Sequence, residues 1–193
     1  MSSALRPAVF LDRDGTLIEE RGYVDRLDLL SLFPWTADAL RLLNRAGFLT
    51  VVITNQSAIG RGIIDEAFLA KVHTVLDLRL SHGNAKIDAY YYCPHHPDAE
   101  VVAYRQICRC RKPGPGLIEQ ACRELHIDPA RSVMVGDRWI DVRAGREAGV
   151  KTVLVRTGHG GHEADTPPAG VTADAILNNL MEATGWILRT SAG

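Results

Sequence analysis

Short apolar runs, each ending in polar or acidic residues, alternate along this chain with stretches whose apolar residues fall at helical spacing. Ala8-Val9-Phe10-Leu11 ends in Asp12-Arg13-Asp14-Gly15-Thr16, and Phe48-Leu49-Thr50-Val51-Val52-Ile53 ends in Thr54-Asn55-Gln56-Ser57. Ser132-Val133-Met134-Val135 ends in Gly136-Asp137, with Asp141 just beyond. Unbroken runs of this kind read as strands buried on both faces. Between them the spacing predicts a helix over 36–46 that stops at Gly47 as a C-terminal cap. A longer helix is expected after Asp65, a capping carboxylate, with Phe68, Val72, Val75 and Leu76 as its core stripe. Further on, the pattern predicts a strand over 87–92 and a helix over 115–126 with Pro115 in its first turn. A helix over 140–148 and a strand over 150–155 follow. The stretch 158–172, rich in Gly, His and Pro, reads as a surface loop before a closing helix. Strand–helix alternation implies an α/β fold, a parallel sheet flanked by helices on both faces.

Active sites of open α/β sheets lie at the carboxyl ends of the strands, where Asp12 and Asp14 emerge. Asp12 is suited to act as an anionic nucleophile and Mg²⁺ ligand, and Asp14 to supply a proton to a leaving group. Gly15 permits a sharp turn, and Thr16 is expected to fix the loop through a side-chain-to-backbone hydrogen bond. A further polar segment, Arg111-Lys112-Pro113, precedes a helix-like stretch. Together the four ordered pieces resemble the haloacid-dehalogenase-like superfamily of aspartyl phosphatases across nearly the whole chain.

That resemblance implies a Rossmann-like parallel sheet and hydrolysis in two displacements through an aspartyl-phosphate. A phosphate dianion repels the Asp12 carboxylate, so a divalent cation must offset the charge. The side chains of Asp12 and Asp137 suit Mg²⁺, which takes about six oxygen ligands, and the resemblance adds the backbone carbonyl of Asp14. Thr54 would bond a transferring phosphoryl oxygen and Lys112 would place an ammonium beside it, so that catalysis is mostly positioning and charge stabilisation. Asp14 would protonate the leaving oxygen and later deprotonate the attacking water. Asp141 either orients Lys112, supports the metal shell, or is simply a first-turn acid favoured by the helix dipole.

A second constellation lies before Lys112. Cys93-Pro94-His95 and Cys108-Arg109-Cys110 offer three sulfurs and an imidazole, the ligand set of a closed, structural zinc site. A disulfide framework fits poorly, because the chain is not small and three clustered cysteines leave an odd one. His96 reads as a surface residue and Cys122 as a small buried hydrophobe.

The 193 residues, 46% apolar with net charge −1, fit one phosphatase domain over 1–193, a cytoplasmic monomer. No apolar run is long enough to span a bilayer, and Met1-Ser2-Ser3-Ala4 lacks the apolar core of a signal peptide. Near-neutral charge gives no electrostatic footprint for nucleic acid. The stretches from Asp12 to Thr54 and from Thr54 to Lys112 are too short to hold a cap domain once their elements are subtracted. The expected fold is therefore capless, with an open site walled by a flap over 20–24 and by the zinc-bearing loop over about 93–110.

Two groups in the superfamily carry such a zinc loop, one acting on a small sugar bisphosphate and one on histidinol phosphate. The chain is similar to the first in Arg21-Gly22-Tyr23-Val24, in Thr54-Asn55-Gln56-Ser57 and in Tyr91-Tyr92-Cys93-Pro94-His95-His96-Pro97. This resemblance assigns Glu20, Arg21, Gly22, Tyr23, Asn55, Gln56 and Ser57 to the substrate surface. Arg111 and Arg138, beside catalytic positions, are candidates for the phosphate that is not cleaved, since guanidinium suits bidentate phosphate recognition; the alternative is a pair of solvated charges. Ala58 stands where a glycine is common, and Arg138-Trp139 where a lysine is frequent. A zinc-stabilised binding module without catalysis would tolerate substitution at Asp12, Asp14, Lys112 or Asp137, yet all four are intact.

Overall fold

The first strand, β1 (Ala8–Leu11), is buried along its whole length because it lies mid-sheet between two layers of helices. The computed structural model describes residues 4–191, so Met1, Ser2 and Ser3, expected to hold no signal-type segment, lie outside the described residues. Around β1 run β2 (Leu49–Asn55), β3 (Ala89–Cys93), β4 (Val133–Gly136), β5 (Lys151–Val155) and β6 (Ala175–Leu177). All pairs are parallel, in the order β3-β2-β1-β4-β5-β6. The direction of winding reverses between β1 and β4, which opens a crevice at their carboxyl ends.

Alternate residues of each strand serve opposite layers. Val9 and Leu11 pack with Leu40, Leu43, Val72 and Leu76, from α1 (Thr36–Arg45) and α3 (Glu66–Ser81), and with Ile187 of the closing α7 (Leu180–Thr190). Ala8 and Phe10 face Leu117 and Ile118 of α4 (Gly116–Glu124) and Ala144 of α5 (Trp139–Glu147).

The expected caps are present. Asp65 accepts from Phe68 N, and Gly47, at φ +86°, follows α1. Three expectations change. The second strand runs on through Thr54 and Asn55, because their backbone still pairs with Tyr92 and Cys93 of β3. The third starts at Ala89, where its pairing with Val51 begins. The stretch 158–172 is no plain loop: it contains a short helix, α6 (Gly160–Asp165), whose Ala164 packs beside Trp139 and Leu154. A short α2 (Ser57–Gly60) also follows β2 directly.

One device pins both flanks of the sheet. Asp88 Oδ2 accepts from Thr50 N at 2.9 Å, and Asp174 Oδ2 accepts from Thr152 N at 2.7 Å. Both threonines are fully buried, and both also direct their hydroxyls at the same carboxylate oxygen. Asp88→Ala and Asp174→Ala should each cost about 1–3 kcal/mol by stranding a buried amide. Because the two sites lie on opposite sides of the sheet, the losses should add in urea unfolding, and a clearly non-additive double variant would contradict this.

Candidate active site

Asp12 leaves the end of β1, Thr54 lies near the end of β2, and Asp137 follows β4, so three neighbouring strands deliver them to one crevice. Between them sits the Lys112 ammonium, 2.8 Å from Asp12 Oδ1 and 2.6 Å from Asp141 Oδ1, with only 1% of the side chain exposed. It also donates to the Ile53 carbonyl at 2.8 Å. Burial works against this ammonium, but Asp12 and Asp141 outweigh it and hold its proton above the ordinary lysine range. The Lys112 backbone is clamped in turn: Asn55 donates to its carbonyl at 3.1 Å and accepts from its N–H at 3.0 Å.

Burial, opposed by Lys112 and reinforced by the neighbouring acids, pushes the Asp12 carboxyl up to about 7. Burial and the charges of Asp12 and Asp141 push Asp137 up to about 8. A bound cation reverses that logic, and the donor set fits one. Carboxylate oxygens of Asp12, Asp137 and Asp141 lie within 4.8 Å of one another. Asp137 Oδ1 is buried with no hydrogen-bond partner among the described residues, while Oδ2 accepts from His159 N at 2.7 Å. Asp141 is committed elsewhere, with Oδ1 on Lys112 and Oδ2 accepting from Arg138 N. Of the three roles open to it, the geometry favours orienting Lys112. Close approach at this point explains two glycines. Gly15 (φ +77°) and Gly158 (φ +55°) face each other, and a Cβ on either would run into Asp137 Oδ2.

The expected tie from Thr16 is absent. Its hydroxyl is buried without a partner among the described residues, and the loop is held instead by Thr157 Oγ1, which donates to the Gly15 carbonyl at 2.6 Å.

A cavity of about 320 Å³ lies over these groups. Glu20, Gly22 and Tyr23 of the flap reach it, as do Ser57, Arg111 and Arg138. Asn55 and Gln56 border it too, but both amides are engaged by the protein. Arg21 is a correction: its guanidinium turns outward to pair with Glu19 and lies outside the cavity. Arg138 is 3.4 Å from Glu163 Oε1, and Arg111 donates to the His95 carbonyl at 3.1 Å. His159 and Arg13 also border the cavity, although neither stood out in the sequence. Only the position of His159 just past the end of β5 pointed to it.

Cys93, His95, Cys108 and Cys110 converge as expected, and all the cysteines are free. The sulfurs stand 3.1 to 3.5 Å apart, and His95 Nδ1 is 3.2 Å from Cys110 Sγ. These edges approach the roughly 3.7 Å of a tetrahedron with Zn–S bonds of about 2.3 Å, so the cluster could hold zinc. Burial pushes the Cys93 thiol well up, and a metal ion is what would keep such a thiol ionised. His96 stands aside and accepts from Asp98 N, and Cys122, on α4 itself, is half-buried against the core layer that holds Phe10 and Ile118.

Fold and site together define a haloacid-dehalogenase-like hydrolase, and a HAD-hydrolase-like family model matches residues 109–183. The D-glycero-beta-D-manno-heptose-1,7-bisphosphate 7-phosphatase of Escherichia coli K12 is 45% identical over 177 residues, covering 91% of each chain. The protein of that name from Salmonella typhi is 44% identical over 177 residues, covering 91% of this chain and 92% of its own. A crystal structure of D,D-heptose 1,7-bisphosphate phosphatase from B. bronchiseptica, complexed with magnesium and phosphate, superposes with a TM-score of 0.85. It is 30% identical and covers 95% of this chain and 99% of its own. The chain belongs to the heptose-bisphosphate phosphatase family and is a phosphatase.

Arg21→Ala should leave kcat/KM for phosphate release within about twofold of the parent, as for an exposed ion pair. Asn55→Ala, which frees both backbone groups of Lys112, should lower it at least tenfold. The reverse ranking would show that the flap closes Arg21 over the substrate.

Proposed function

We propose that this chain is a magnesium-dependent phosphatase that removes the C7 phosphate of D-glycero-D-manno-heptose 1,7-bisphosphate through an aspartyl-phosphate on Asp12. The observation that carries the proposal is the buried Lys112 ammonium set between Asp12 and Asp141, beneath a cavity whose rim offers Arg111 and Arg138. Asp12 attacks phosphorus while Thr54 and Lys112 hold the transferring oxygens and Asp14 protonates the departing sugar oxygen. Water, deprotonated by Asp14, then releases phosphate. The side chains of Asp12 and Asp137, with the Asp14 carbonyl, would hold Mg²⁺, which supplies the positive charge that lets an anionic nucleophile meet a phosphate dianion. Arg111 and Arg138 would hold the C1 phosphate. Zinc on Cys93, His95, Cys108 and Cys110 would stiffen the loop from which His95 positions Arg111.

The relatives are named for the beta anomer, which makes it the first to assay. The product would keep its anomeric phosphate, the group a nucleotidyltransferase needs. This places the reaction in the synthesis of nucleotide-activated heptose for lipopolysaccharide core or another surface glycan. Among the described residues no helix is long and apolar enough to cross a membrane. Histidinol phosphate is the competing substrate, and Glu20 at the rim is the acid that would meet its ammonium.

Phosphate release should be compared for both heptose-bisphosphate anomers, fructose 1,6-bisphosphate and histidinol phosphate. The heptose substrate is expected to lead in kcat/KM by at least tenfold, and Asp12→Asn to lose several powers of ten with the fold intact. Equal or faster turnover of histidinol phosphate would transfer the assignment to that substrate.

The two metals should differ in their effects. Raised folded values at Asp12 and Asp137 mean that the metal-free native state holds protons the unfolded chain has lost. Their contribution is full below about pH 4 and disappears as pH rises through about 7 to 8. The melting temperature of magnesium-free protein should therefore fall between about pH 5 and 8, and the gain from added Mg²⁺ should widen over that range. A gain that shrinks with pH would remove Mg²⁺ from these carboxylates. Freshly purified protein should carry about one zinc per chain, and stripping it should lower stability and raise KM for the bisphosphate. Zinc below about half an equivalent would count against that site.

A further inference from the structure

Asp14 is held by a closed ring of hydrogen bonds that the reaction outlined above does not use. Arg13, 2% exposed, donates to Asp14 Oδ1 through both Nε (3.2 Å) and Nη2 (2.9 Å). The same Nη2 reaches Gln56 Oε1 at 3.1 Å. Gln56 closes the ring, with Nε2 donating to Asp14 Oδ2 at 3.1 Å and to Thr54 Oγ1 at 2.8 Å. The amide orientation is fixed by its partners, since a guanidinium can only donate and a carboxylate only accept. Arg13 makes no other ion pair among the described residues, and its Nη1 is buried with no partner at all. A buried guanidinium left partly unsatisfied is costly, so this one is placed for Asp14 and not for packing.

A carboxylate offers about four lone-pair sites, two on each oxygen. Two donors fill Oδ1 and one occupies Oδ2, which leaves one site, on Oδ2. Resting on the aspartyl-phosphate reading above, we infer that Arg13 and Gln56 are positioning residues that saturate Oδ1 of Asp14 and so make Oδ2 the atom that gives and takes the proton. As the bond from Asp12 to phosphorus forms and the bond from phosphorus to the sugar oxygen breaks, the proton on Oδ2 passes to that oxygen. In the second displacement Oδ2 takes a proton from the attacking water while Asp12 is released from phosphorus. The Gln56 amide fills an acceptor site on Thr54 Oγ1, which keeps the single hydroxyl proton free to point at the phosphoryl group. One amide thus sets the acid and the phosphoryl donor in register, a role different from the substrate contact expected of Gln56.

Leaving groups separate this role from a merely structural one. A sugar alkoxide needs a proton to depart, whereas p-nitrophenolate leaves without one, and kcat/KM reports the first displacement. With magnesium-loaded enzyme, Asp14→Asn should lose far more on heptose bisphosphate than on p-nitrophenyl phosphate. Arg13→Met should repeat that selectivity on a smaller scale, losing about ten- to a hundredfold on the sugar and less than about threefold on the aryl ester. If Arg13→Met does not fold, Gln56→Leu decides by the ratio of its two losses, which should again exceed about tenfold in favour of the aryl ester. Equal losses on the two substrates, in a folded Arg13→Met or else in Gln56→Leu, would overturn the inference while selective Asp14→Asn leaves the mechanism standing. Equal losses for Asp14→Asn would instead overturn the mechanism on which it rests.

Discussion

A deficit of positive charge governs this structure. Asp12, Asp14, Asp137 and Asp141 meet at one end of the sheet, and among the described residues only Lys112 and Arg13 are cations buried with them. The site is two positive charges short. Burying paired ions seldom stabilises a fold, because desolvation consumes what the pairing returns. The cost is visible in Asp12 and Asp137, both pushed well above the usual carboxylate range. What the arrangement offers is a preset field, strongest where a divalent cation and a phosphoryl group would complete it.

The fold serves that field by bringing distant segments to the ends of three adjacent strands. β1 contributes the acids, β2 contributes Thr54 and the Asn55 clamp on the Lys112 backbone, and β4 contributes Asp137. Glycines at 15 and 158 let two loops close on Asp137 from opposite sides. The Cys₃His cluster stands one step back. It acts on the rim through the His95 carbonyl, which accepts from Arg111, and through Cys110, the residue before Arg111. Each rim arginine is the chain neighbour of a central residue, Arg111 of Lys112 and Arg138 of Asp137, so charge at the centre and charge at the rim are set by the same two segments.

Much of this was legible in the sequence where local rules decide. An apolar run followed by acids marks a strand end, Asp65 marks a helix start, and three cysteines with a histidine mark a tetrahedral cluster. Legibility failed where a side chain had two partners to choose from. Arg21 follows the nucleophile loop in a motif-like setting, but Glu19, two residues away, claims its guanidinium. Arg13 received no role from the sequence, because its role depends on Gln56, brought close only by the pairing of β1 with β2. His159 lies in a glycine-rich stretch that read as surface loop, and its backbone reaches Asp137 only after β5 has docked beside β4.

The central claim is that this charge field exists to place a phosphoryl group on Asp12. Acid-quenching the Asp14→Asn enzyme during turnover of p-nitrophenyl phosphate, whose leaving group needs no proton to depart, digesting it and mapping the peptides by mass spectrometry tests that claim directly. Without its base the second displacement should stall. The account predicts one added phosphoryl group on the peptide that contains Asp12, absent when Asp12 is Asn. A phosphoryl group found on another residue, or steady phosphate release with no adduct at any time, would contradict it.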